Sequence, residues 1–146
     1  MQEGSSVDIR KMSETDIPSV IETGLSTPEL QTGTDAAQFY SPETLRQWVA
    51  DKNGVAFVAR TNEDLAGFAL GYYMAGPRDG YLNAITVKSE YRSRGVGAGL
   101  LKAALDKFET LGCNHVFMAV KSDNPTALDF FQNNRFQIGE VFRYVE

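Results

Sequence analysis

Cysteine and histidine are nearly absent: Cys113 and His115 are the only residues of their types among 146. An intrachain disulfide is therefore impossible, and a zinc cluster built from Cys and His is excluded. The two residues flank the start of an apolar run, a setting that favours packing over a thiol nucleophile. Long hydrophobic stretches are also missing. No window approaches the ~18 apolar residues needed to span a bilayer, and Met1–Ser6 has neither a basic nor an apolar leader region. The expectation is a soluble, cytoplasmic protein with no membrane partner. Basic residues are in the minority, 14 Lys and Arg against 19 Asp and Glu, for a net charge of −5. That balance argues against nucleic-acid binding, where a basic face supplies most of the affinity.

What is present is an ordinary globular composition, 42% hydrophobic and 11% aromatic, which excludes disordered and collagenous classes. A chain of this length can bury roughly 68–70% of its unfolded surface, enough for one core. One domain over residues 1–146 is expected, with residues 1–6 left open as a disordered end. The charge is uneven. Residues 1–86 carry 6 bases against 12 acids and residues 87–146 carry 8 against 7, so the halves sum to −6 and +1. From Glu14 to Glu43 there are six acids and no base.

Val7–Met12 reads as a strand, and Ser13 as the N-cap of a short helix with Ile17, Val20 and Ile21 on its apolar side. Leu25–Tyr40 lacks periodicity and reads mostly as loop. Ser41-Pro42-Glu43-Thr44 is a helix start that leads into Leu45, Trp48 and Val49. Val55–Arg60 and Leu65–Met74 form a hairpin across Thr61–Asp64. Tyr81–Val87 is a further strand. Helical spacing then runs from Val96 through Leu100, Leu101, Ala104, Leu105 and Phe108 to a Gly112 cap. Val116–Val120 is a strand, Asn124-Pro125 opens a last helix, and Ile138–Val145 alternates as a final strand. The order β-α-α-β-β-β-α-β-α-β contains two late β-α-β crossovers, which bring parallel pairing into an otherwise antiparallel sheet.

The chemistry concentrates between Val87 and Leu101. A strand runs into a turn with three glycines in five residues (Gly95, Gly97, Gly99), and a helix follows directly. Glycines let successive backbone N–H groups face one point, the helix N-terminus adds partial positive charge, and Arg92 and Arg94 add full charges. Together these make a phosphate or pyrophosphate site. A dinucleotide fingerprint would need a glycine where Leu100 stands, and a Walker Gly-Lys-Ser/Thr occurs nowhere.

Arg92-Ser93-Arg94-Gly95-Val96-Gly97 resembles the acetyl-CoA signature of the GNAT acetyltransferase superfamily, Arg/Gln-x-x-Gly-x-Gly/Ala. Ile85-Thr86-Val87 resembles the strand that precedes it. Asn124, Ala127, Phe130 and Phe136 fall where the family's next motif would place them. The resemblance covers about residues 55–140. It implies an α/β fold of the α+β mixed-sheet kind, with a central, mostly antiparallel sheet of six or seven strands flanked by four helices. It further implies acetyl-CoA as co-substrate, no metal, and an N-acetyltransferase acting on a primary amine (a protein N-terminus, a lysine or a small molecule) as monomer or homodimer. Backbone N–H groups from Ser93 to Gly99, through Arg94, Gly95, Val96, Gly97 and Ala98, would hold the pyrophosphate. The edge of Ile85, Thr86 and Val87 would pair with pantetheine, and Asn124 would contact the cofactor from the far wall while also capping its helix.

Departures from the family pattern fall at the reacting centre. The usual acid, a Tyr, is replaced by Phe131, and the counterpart of a basic Glu on the following strand is Ala119. The Gly before the closing Phe is Arg135, so Asn134 is expected to take the left-handed turn. Tyr81, Tyr144 and Tyr40 are the remaining hydroxyl candidates. In the acidic stretch, Glu22 and Glu29 are candidates for attracting a cationic amine, the alternative being a solvated acidic surface. A CoA-binding regulatory or degenerate member is the competing expectation.

Overall fold

The computed structural model describes residues 6–30 and 38–145. Most of the stretch left open as disordered, residues 1–5, and residues 31–37 of the expected loop lie outside the described residues.

Strand β3 (Leu65–Met74) is almost wholly buried and forms the middle of a five-stranded sheet. The sheet runs β1 (Asp8–Lys11), β2 (Gly54–Arg60), β3, β4 (Asp79–Val87), β5 (His115–Phe117) in spatial order. The first four are antiparallel neighbours, and β5 joins β4 in parallel. Residues 61–64 make the β2–β3 turn: the Asp64 N–H donates to Thr61 Oγ1 at 3.0 Å and the Thr61 N–H to the Asp64 carbonyl at 2.9 Å.

Each face is covered because the alternation along the strands matches the stripes on the helices. Helices α1 (Ile17–Leu25) and α2 (Pro42–Ala50) bring Ile17, Val20 and Leu45 onto Val58, Phe68, Leu70 and Ala84. On the opposite face α3 (Val96–Leu111) buries Val96, Leu100, Leu101, Ala104 and Phe108, the spacing read from the sequence. Helix α4 (Pro125–Asn133) adds Phe131 to that second core, beside Leu82, Leu101 and Phe108. Local signals behave as their chemistry dictates. Ser41 Oγ accepts from the Thr44 N–H at 3.1 Å and Asn124 Oδ1 from the Ala127 N–H at 3.2 Å, so both cap helices that start with proline. At Ser13 the reciprocal half of a capping box forms: the Asp16 carboxylate accepts from the Ser13 N–H at 2.9 Å, and a single 3-10 turn precedes α1.

Three expectations need correction. Ile138–Val145 is not a strand. It pairs with nothing in the sheet, and Val141, Phe142, Tyr144 and Val145 are exposed. Alternation favours an extended backbone, but a strand also needs a partner edge, and β5 offers only three residues. For the same reason Val116–Val120 contributes only its first two residues to a ladder, and the sheet among the described residues has five strands rather than six or seven. The left-handed residue after α4 is Arg135 (φ 74°), not Asn134 (φ −104°). The Phe136 N–H bonds the Phe131 carbonyl at 2.9 Å and the Arg135 N–H the Gln132 carbonyl at 3.1 Å. That Schellman pairing fixes the left-handed position one residue beyond the cap.

Candidate functional site

The parallel ladder of β4 and β5 holds for only three pairs, Asp79 with His115, Gly80 with Val116 and Tyr81 with Phe117. Beyond Tyr81 the strands part, and six residues of β4 continue with β3 as neighbour on one side only. The Lys88 N–H bonds the Ala66 carbonyl of the β3 side at 2.8 Å. With a period of two, Thr86 also faces β3, so the backbone groups of Ile85 and Val87 point to the open edge. One of them is already engaged, because Arg92 Nε donates to the Val87 carbonyl at 3.0 Å. The edge therefore offers the Ile85 N–H and C=O and the Val87 N–H to a chain laid alongside.

This open edge runs straight into the glycine turn and α3. Gly95 is the N-cap in left-handed conformation (φ 80°), and Ser93 shares that region (φ 63°). Val96, Gly97 and Ala98 occupy the first turn, where N–H groups have no helical acceptor. A side chain at Gly97 would meet Phe130 at 3.2 Å and Val87 at 3.7 Å, so its hydrogen leaves the passage between β4 and α4 open. Gly99 does not belong with these residues. Its N–H is consumed by the Gly95 carbonyl at 3.0 Å, and a Cβ there would sit 2.5 Å from Ile9. Its glycine permits close approach of α3 to β1 rather than access to a ligand. The two arginines also differ. Arg94 lies over the Tyr91 ring at 5.4 Å, and the Tyr91 hydroxyl bonds Asp64 Oδ2 at 3.2 Å, which ties the loop to the β2–β3 turn.

At the fork, the three hydroxyl candidates fall into one neighbourhood. Tyr81 packs on Phe117 (ring centroids 5.0 Å apart), and its oxygen accepts from the Ala119 backbone N–H. Burial pushes the Tyr81 phenol above its ordinary value. Tyr144 and Tyr40 push it the same way, against the Ala119 bond. At neutral pH Tyr81 thus keeps its proton, as a donor and not as a base. Tyr40 also packs edge-on against Trp48 and Phe39. Phe131 is buried between Phe130 and Phe136 (centroids 5.1 and 5.2 Å), so the family's usual acid position here is core. Cys113 donates to the His115 carbonyl and not to its ring, and His115 pairs with Asp79 at 3.2 Å, at the closed end of the ladder.

The acidic stretch divides. Asp16 is buried and held by Arg10 (3.0 Å) and Arg60 (3.2 Å), so it is structural. Glu22 and Glu29 line a cavity of about 440 Å³ whose opposite wall is Thr86, Val87, Lys88 and Arg92. Residues expected for cofactor and for amine thus border the same space. Sequence reasoning missed Asn83. The β3–β4 register slips between Leu70 and Gly71, leaving Asn83 as the extra residue of a bulge, and its Oδ1 is buried with no hydrogen-bond partner. A bulge leaves no mark in a strand that otherwise alternates.

A mixed sheet forked beside a glycine turn at the start of α3 is the architecture the resemblance implied. The chain belongs to the acetyltransferase (GNAT) family, whose model matches residues 24–136. It is 28% identical over 114 residues to N-alpha-acetyltransferase 30 of Xenopus laevis, covering 75% of this chain and 42% of that protein. It is 30% identical over 119 residues to a mycothiol acetyltransferase of Corynebacterium aurimucosum, covering 80% and 38%. The chain thus spans less than half the length of these two relatives. In fold it resembles a PaiA N-acetyltransferase from Thermoplasma acidophilum solved in complex with coenzyme A, with a TM-score of 0.78 at 21% identity over 94% of this chain and 93% of that one. Among the described residues no helix is long and apolar enough to cross a membrane.

Proposed function

We propose that this chain is an acetyl-CoA-dependent N-acetyltransferase that moves the acetyl group to a primary amine by direct attack in a ternary complex. The observation that carries this reading is the fork: a strand edge with three unengaged backbone groups at Ile85 and Val87 ends at an uncapped helix N-terminus. Pantetheine carries amides of matching spacing and ends in a pyrophosphate, so one ligand fits both halves. Ser93 to Ala98 and Arg92 take the phosphates, Ile85 and Val87 the arm, and the Ile85 N–H polarises the thioester carbonyl. Asn124 lies on the far wall with its Oδ1 already engaged by its own helix, which leaves its amide N–H₂ for the cofactor.

In the reaction, the neutral amine nitrogen bonds to the acetyl carbon, the C–S bond breaks, the sulfur gains a proton and the nitrogen loses one. Tyr81 is the acid for the departing thiolate, since it is protonated and stands at the mouth of the fork. The N-alpha-acetyltransferase relatives favour a protein N-terminus as acceptor over a lysine or a small molecule. Glu22 and Glu29 give the approach a negative rim. The second reading, a CoA-binding regulatory protein, is favoured by Phe131 in the core and Ala119 at the base position. Thiol release from acetyl-CoA, measured with a peptide N-terminus, lysine, spermidine and glucosamine, decides between them. Turnover of any amine well above hydrolysis supports transfer, whereas tight acetyl-CoA binding with no turnover supports the regulatory reading. Failure to bind acetyl-CoA ends both.

A further inference from the structure

Asn83 is placed by the bulge. Leu82 and Ile85 both pack on the α3 side, and two residues stand between them where regular alternation would leave one. Ala84 packs into the core under α1 and α2, and Tyr81 faces Tyr40, which packs on Trp48 of α2. Asn83 is thereby kept off the α3 face. It falls between Tyr81, the last residue paired to β5, and Ile85, the first that offers its backbone to the open edge. Its carboxamide oxygen is screened from solvent and accepts no hydrogen bond. A buried acceptor without a partner is destabilising, and most such groups in folded proteins are satisfied, so its retention at this point calls for a donor that the protein itself does not supply.

The reacting groups at the fork differ in what they offer. An acetyl thioester presents a carbonyl oxygen and a sulfur, both acceptors, and cannot satisfy another oxygen. A primary amine presents N–H donors. We propose that Asn83 binds the acceptor amine, its Oδ1 taking an N–H of the attacking nitrogen and turning the lone pair towards the acetyl carbon. This assignment rests on the acetyl-transfer reading above. It adds a selectivity: a nitrogen must keep an N–H free for Asn83 while it attacks, which favours primary over secondary amines.

The test compares Asn83→Leu and Asn83→Asp with the wild type. Acetyl-CoA binding is followed by calorimetry, stability by urea unfolding, and kinetics by thiol release with the same four amines. Leucine removes the acceptor, while aspartate keeps an oxygen of similar reach. The expected result is that Asn83→Leu unfolds at the same or higher urea, binds acetyl-CoA within about twofold of wild type, and raises the amine KM about tenfold with kcat nearly unchanged. Asn83→Asp restores that KM. An amine KM unmoved by leucine overturns the proposal, and so does a leucine variant that unfolds at lower urea, which shows that the fold itself satisfies Asn83. Equal loss of kcat in both variants also overturns it, because the amide N–H₂ is then acting on the thioester oxygen. Wild-type protein that binds acetyl-CoA yet acetylates none of the four amines overturns it while leaving the cofactor site standing. Wild type that binds no acetyl-CoA ends the underlying reading as well.

Discussion

Arg92 Nε and the Val87 carbonyl oxygen lie 3.0 Å apart, so the arginine that opens the glycine turn is hydrogen-bonded back onto the last residue of β4. The bond uses one backbone acceptor of the open edge and holds the guanidinium at the point where strand edge and helix N-terminus meet. Its terminal nitrogens form no hydrogen bond among the described residues, which leaves a bidentate face for a phosphate.

Arg92→Ala is expected to weaken CoA binding about tenfold, the value of one charge-assisted hydrogen bond. Pantetheine, which lacks the pyrophosphate, should bind both proteins alike. Calorimetric titration of the two ligands checks this, and an equal loss for both would mean that Arg92 acts only by shaping the edge at Val87.

Tyr81→Phe is expected to lower kcat by about a hundredfold, a typical contribution of a positioned proton donor, with acetyl-CoA affinity kept. Because the folded-state pKa is raised by burial and by Tyr144 and Tyr40, the protonated form persists beyond the ordinary tyrosine range. The wild-type kcat profile should therefore show no fall attributable to this group between pH 7 and 9. A descending limb in that range, lost in Tyr81→Phe, would assign it the opposite role.

Helices α3 and α4 end with the same pair of bonds, Cys113 N–H to the Phe108 carbonyl with Gly112 to Glu109, and Phe136 N–H to the Phe131 carbonyl with Arg135 to Gln132. The left-handed residue is glycine in the first (φ 99°) and arginine in the second (φ 74°). Left-handed backbone costs a residue with a Cβ about 1 kcal/mol. Arg135→Gly should stabilise the protein by up to about that amount and Gly112→Ala should destabilise it similarly, both read from urea midpoints.

Asp16 is 2% exposed and accepts from Arg10, Arg60 and Ser13. Burial alone would raise its pKa, but the Arg10 and Ser13 hydrogen bonds together hold it below the ordinary carboxylate value. A depressed folded-state pKa contributes stability that is present above the unfolded pKa and lost as pH falls through the folded one. Asp16→Asn should cost about 3 kcal/mol at pH 7, since it leaves two guanidinium groups without their anion. The penalty should shrink below pH 4, where the wild type is itself protonated. Urea unfolding at pH 7 and pH 3 tests both halves, and a penalty independent of pH would show that packing, not charge, sets it.

The sequence by itself determined the helices, the hairpin and the glycine turn. Each is specified within a few residues by a period, a cap or a backbone requirement: Ser41 on Thr44, Asn124 on Ala127, Val96 to Phe108 at helical spacing. Three glycines looked equivalent on the page, yet Gly95 serves a left-handed cap, Gly97 an open passage and Gly99 the contact with Ile9, since the partner that makes each necessary is remote in sequence. Only the tertiary structure decided how long β5 is, that Ile138–Val145 finds no edge to pair with, and which of six acids faces a cavity and which is locked to two arginines. It also decided that Tyr81 meets Ala119 across the fork and that a bulge strands the Asn83 oxygen. A strand exists only through its neighbour, and a polar group is satisfied or orphaned only by what the rest of the chain brings to it.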